Sequence, residues 1–107
     1  MKEEIRSGRL TEYVKEEVSN YIARESNHSS LITVTRVILD TPLKTGTILV
    51  TVYPEEKEEE VINFLKRNRS DIRDYLRKHI KARIIPFIDF EIDGGEKNRI
   101  RLDELSQ

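Results

Sequence analysis

The residues from Lys66 to Asp93 read KRNRSDIRDYLRKHIKARIIPFIDFEID, and they leave the chain few ways to fold. Ser70 is placed as an N-cap, and Ile72, Tyr75, Leu76 and Ile80 recur at helical spacing, which predicts a helix over Asp71–Arg83. Pro86 forbids further helix and biases Ile85 toward extended geometry. Ile88, Phe90 and Ile92 then alternate with Asp89, Glu91 and Asp93, the pattern of a strand with one wet face, and Asp93-Gly-Gly95 ends it. A helix must therefore run through a short link into a sheet.

The preceding residues supply the partners. Residues 1–8 are polar and read as a loose terminus. From Arg9 to Arg24, Leu10, Val14, Val18, Tyr21 and Ile22 form the stripe of an amphipathic helix, broken by Glu25-Ser-Asn-His-Ser-Ser30. Leu31–Leu39 is rich in β-branched residues and reads as a strand, and Thr47–Tyr53 as a second. The connection, punctuated by Pro42 and Gly46, makes them an antiparallel hairpin with a wide loop. Pro54 and the acids that follow it suit a helix start, with Val61, Ile62, Phe64 and Leu65 as the buried face. Residues 98–107 form a short terminal segment. The order is α-β-β-α-α-β, a single α+β domain with a three-stranded sheet packed against helices.

A chain of 107 residues has room for one modest core. It contains no cysteine, which excludes disulfides and thiolate chemistry. No apolar run approaches the roughly 20 residues that span a bilayer, and no signal-peptide core opens the chain, so a cytoplasmic protein without membrane contact is expected. His28 and His79 lie far apart, which gives no metal-ligand cluster. Asp89, Glu91 and Asp93 share one strand face, which is read as a solvated sheet surface rather than a cation site. The four glycines are scattered and no nucleophile elbow is present. No catalytic residue and no cofactor are assigned.

Charge is distributed unevenly. Lys66–Arg83 holds eight Lys or Arg against Asp71 and Asp74, a net of +6 in a chain whose total is −1. Arg69, Arg73, Arg77 and Lys81 recur every four residues, an outward ridge flanked by Lys66, Arg67 and Lys78. Such confinement suits a polyanion, and Arg matches phosphate through its planar fork. Tyr75 lies on the apolar face, and of the phenylalanines only Phe87 falls outside the expected core. Backbone-directed binding of structured RNA fits better than base reading. The second reading is a protein–protein adaptor that uses a strand edge or the acidic helix start.

Four segments carry a family resemblance: Ile32-Thr-Val-Thr-Arg-Val37, the strand Leu43–Val52, Asp71-Ile72-Arg73 with Leu76, and Lys81-Ala-Arg-Ile-Ile-Pro86 leading to Phe90 and Asp93. Together with the order of elements, that of a type II KH domain, they resemble ribosome-binding factor A over roughly residues 5–105. The most specific element is Arg-x-x-Pro-x-x-x-Phe-x-x-Asp at 83–93. The resemblance implies a bacterial, non-enzymatic, cytoplasmic factor, expected to be a monomer. It would bind the small ribosomal subunit and its rRNA, assist late maturation and rRNA processing, and matter most in the cold. A KH domain joins its central helices by a Gly-x-x-Gly loop, which this family replaces with a kinked Ala-x-Gly junction. Here Asn68-Arg69-Ser70 occupies those positions. Asn and Ser can still interrupt a helix through side-chain bonds to the backbone, so a kink is expected there.

Overall fold

The computed structural model describes residues 7–40 and 44–96. Helix α1 (Ser7–Glu25) is followed by strands β1 (Leu31–Asp40) and β2 (Thr45–Tyr53). A short 3-10 turn (Glu55–Lys57) leads into α2 (Glu58–Arg67), then α3 (Arg69–His79) and strand β3 (Phe87–Ile92). The expected α-β-β-α-α-β order is realised. The proposed segment 98–107 and Pro42 lie outside the described residues.

The sheet order is β1-β2-β3. β1 and β2 pair antiparallel from Leu31↔Tyr53 to Asp40↔Thr45, with an irregularity between Val34 and Arg36. β2 and β3 pair parallel from Thr45↔Phe87 to Val50↔Ile92. A parallel pair cannot be joined by a hairpin, so α2 and α3 form the required crossover. Val34, Ile48, Val50, Ile88 and Phe90 line the inward sheet face. Val14, Val18, Tyr21 and Ile22 of α1, Val61 and Leu65 of α2, and Ile72 and Leu76 of α3 pack with them in one core. The apolar stripes expected from the sequence supply these residues and Ile80, whereas Leu10, Ile62, Phe64 and Tyr75 are only partly buried at the core margin.

Several boundaries differ from the expected ones. Ser7 and Gly8 already belong to α1. Gly46 lies within β2 rather than in the loop. It faces Leu39, whose Cδ2 would sit 3.0 Å from an added Cβ, so a larger residue would require the end of the Leu39 side chain to give by a few tenths of an ångström. Pro54 precedes the 3-10 turn and not the α-helix itself. Helix α3 starts at Arg69, two residues early, and ends at His79 instead of Arg83. Ile80 leaves the helix in extended geometry (φ −120°, ψ 126°), with its N–H bonded to Leu76 O at 2.8 Å. This early exit buries both Ile80 and Ile85 while the chain returns to the sheet, where Phe87 N–H donates to Lys44 O at 3.0 Å.

Asp93 is the clearest correction at the end of β3. It does not join Asp89 and Glu91 on a wet face but is 7% exposed. Thr35 Oγ1, from β1, donates to its Oδ2 at 2.5 Å, and the Glu96 N–H donates to its Oδ1 at 3.0 Å. Thr35 Oγ1 also approaches Leu49 O at 3.2 Å, so the pair spans β2. The Thr35 hydrogen bond and then the Glu96 amide hold the Asp93 carboxyl below its ordinary value, against the opposing effect of burial. Among the described residues no group of three or more His, Asp or Glu could hold a metal ion. No described helix is long and apolar enough to cross a membrane.

Candidate nucleic-acid interface

The basic segment is organised by the junction between α2 and α3, a single residue. Asn68 (φ −101°, ψ 16°) lies between Arg67 and Arg69, the last and first residues of the two helices. Its N–H is shared between Phe64 O and Leu65 O at 3.2 Å each, and its Nδ2 donates to Phe64 O at 2.8 Å. Ser70, expected as the cap, is inside α3, and Asn68 takes the boundary position without a side-chain cap bond to α3. The helix-kink-helix expected at this position is present, with its boundary residue earlier than the assigned cap.

Beside the kink, α3 and the start of β3 enclose an open groove of about 500 Å³. Arg69, Ser70, Arg73, Asp74, Arg77 and Phe87 line it, with Ile88 behind them. Phe87 is 62% exposed, because the alternation that turns Ile88 and Phe90 inward turns Phe87 outward. The guanidinium of Arg73 lies over this ring, 3.8 Å from its centroid. An aromatic face backed by a cation can stack a base, and arginines beside it can meet phosphates.

The expected outward ridge is only partly formed. Arg73 is half-buried: Nη2 donates to Ile85 O at 2.8 Å, and Nε lies 3.2 Å from the carbonyls of Ile85 and Pro86. Desolvation, then the charge of Arg77, pull its pKa below the usual guanidinium value, while Asp74 opposes them. It remains charged. Lys81 is off the ridge because the helix has already ended. Lys66 Nζ and Arg69 Nη1 converge on Asp89 Oδ1 at 2.7 and 3.2 Å. Burial pushes the Asp89 carboxyl up, but bonds from Lys66 and the Phe90 amide, with the charges of Lys66 and Arg69, outweigh it and hold the group low. Arg77 pairs with Asp74 at 2.8 Å. Lys78, Lys81 and Arg67 are exposed. Arg67 faces away from the groove and lines a separate cavity on the other side of the kink.

The structure therefore gathers Arg69, Arg73 and Arg77 with Ser70 around one groove and separates Arg67 and Lys81 from them. Phe87 and Asp89 were not assigned to the site from sequence. The odd-numbered phase of β3 signals the outward face of Phe87, whereas the position of Asp89 under the kink depends on the crossover and has no local signal.

A family model described as ribosome-binding factor A matches residues 6–106. The chain belongs to the ribosome-binding factor A family. Two proteins from Clostridium botulinum described as ribosome-binding factor A illustrate the relation. The Okra strain protein is 33% identical over 104 residues, 94% of this chain and 87% of the relative. The Eklund 17B protein is 35% identical over 107 residues, 95% and 92% respectively. The crystal structure of ribosome-binding factor A from Thermus thermophilus superposes with a TM-score of 0.72. It covers 81% of this chain and 94% of that one at 20% identity, which establishes a shared fold, α+β and KH-like. In this chain the junction between α2 and α3 reads Asn68-Arg69-Ser70.

Proposed function

We propose that this chain is a non-catalytic ribosome-binding factor that associates with the small subunit during late maturation and processing of its rRNA. The observation that carries the reading is the groove beside the kink, which Arg69, Arg73 and Arg77 line together with the exposed ring of Phe87. Family membership supports a ribosomal partner, because the relatives are described as ribosome-binding factors. The chemistry of the groove supports RNA: phosphates would replace Asp74 on Arg77 and compete with Asp89 for Arg69, while a base stacks on Phe87. Both ion pairs are on the surface and cost little to exchange, since such pairs contribute about 0–1 kcal/mol. Lys78, exposed on the same helix, extends the positive field. Arg73 is assigned a supporting role, holding the Ile85–Pro86 link and backing Phe87.

Sedimentation of cell extract at low salt tests the reading. Co-migration with small-subunit particles, lost in Arg69→Glu/Arg77→Glu, is expected. Binding to a purified protein that survives nuclease and high salt would instead favour an adaptor.

A further inference from the structure

Arg67 and Arg69 stand two residues apart across the kink, yet they line different cavities. Helical geometry turns side chains two positions apart to nearly opposite directions, about 200°. The cavity at Arg67 measures about 330 Å³, within the roughly 300–1,000 Å³ range of small-ligand sites. Its walls are the turn between α1 and β1 on one side and α2 on the other.

The lining divides by chemistry. Ile32, Val61 and Phe64 provide apolar surface, with Val61 buried and the other two half-buried. Asn27 and Asn63 supply amides. Asn27 is already oriented, because its Oδ1 accepts from the Ser29 N–H at 3.0 Å and from Ser29 Oγ at 2.9 Å, leaving its NH2 to donate. Glu25 and Glu60 also line the cavity, but each has a cation close by, Arg24 at 3.2 Å and Lys57 at 3.7 Å. Arg67 is exposed and has no ion-pair partner among the described residues. An apolar surface, amide groups and an uncommitted guanidinium together match a nucleotide: a flat base, its polar edge and a phosphate.

We infer that this cavity binds one nucleotide of a single-stranded RNA segment, with the base against Ile32 and Phe64, its edge on Asn27 and Asn63, and a flanking phosphate on Arg67. The inference rests on the RNA reading of the groove and extends it to a second site across the kink. RNA bound at both would straddle Asn68.

The test uses the full chain, 15N-labelled, titrated with a mixed-sequence single-stranded RNA decamer and separately with adenosine and uridine 5′-monophosphates. The decamer is expected to shift the amides of Ser29, Ser30, Asn63 and Arg67 as well as those of Ser70, Asp74 and Phe87. In R67Q, and independently in N63A, the first set should stay still while the second still moves, and R67Q should weaken decamer binding by about fivefold. Unchanged amide positions in the free variants confirm that both fold. Movement of the groove set alone overturns this inference and leaves the proposed function standing. Movement of neither set, with no co-sedimentation, overturns both. Cavity shifts with the monophosphates but not with the decamer identify a free-nucleotide site and also overturn it.

Discussion

The guanidinium of Arg73 lies 3.8 Å from the centre of the Phe87 ring while donating to the carbonyls of Ile85 and Pro86. One side chain thus fastens the link between α3 and β3 and fixes the underside of an exposed aromatic face. Arg73→Ala should lower unfolding stability by about 1.5–3 kcal/mol, the usual worth of hydrogen bonds to a charged group. Arg73→Lys should recover little of it, since an ammonium cannot reproduce the planar fork. Chemical denaturation of the three proteins measures this; an unaltered midpoint in Arg73→Ala would show that the clamp carries no stability.

Phe87 should behave in the opposite way. Its ring is mostly exposed, so Phe87→Ala should change stability by less than about 1 kcal/mol. Loss of base stacking should weaken single-stranded RNA binding by about 1–3 kcal/mol. Fluorescence anisotropy with a labelled oligonucleotide, alongside thermal melting, separates the two effects.

Asp89 pairs with Lys66 and with Arg69, which lines the groove, and its removal should favour a polyanion. A unit charge about 7 Å away in water is worth about 0.6 kcal/mol, close to threefold in affinity. Asp89→Asn is therefore expected to bind RNA at least that much more tightly at low salt, with the advantage shrinking as ionic strength rises. Equal affinities at low salt would show that phosphates do not approach this pair.

Binding should also depend on salt in a countable way. If about four cations meet phosphates, log affinity falls with log salt at a slope of about −3 to −4. Arg77→Gln should make the slope shallower by about 1. Titrations at several salt concentrations test this, and an unchanged slope would remove Arg77 from the interface.

Asp93 gives the fold a defined acid response. An unfolded aspartate titrates near 3.9, and the native group lies below that, so the unfolded state holds more protons between the two values. The stabilisation is fully present above the unfolded value and is lost as pH falls through the native one. Asp93→Asn should be less stable at neutral pH by about 1–3 kcal/mol, and its deficit should shrink on acidification below about pH 4. Urea midpoints across that range give the comparison.

The elements themselves were readable because each carries its own period. Val14, Val18 and Ile22 repeat as a helix, and Ile88, Phe90 and Ile92 as a strand. Arg73 was not readable in the same way. Its four-residue spacing from Arg69 and Arg77 suggests an outward ridge, yet two backbone carbonyls come within reach only after the link folds back. The end of α3 is hidden from the sequence for a related reason. Pro86 marks where helix becomes impossible, whereas the burial of Ile80 and Ile85 decides where it stops. Asp93 continues the alternation of β3 by sequence, but its true partner is Thr35, two strands away. Pairings across the sheet leave no local trace.

A junction of one residue makes the crossover sensitive to count rather than to composition. Each added residue would turn α3 by about 100° against α2. One insertion after Asn68 would carry Ile72 and Leu76 out of the interior and swing Arg73 away from Ile85. Exchanging the side chains at 68–70 disturbs none of that phase. The hinge, spelled Asn-Arg-Ser here, can therefore change its side chains provided the number of letters does not change.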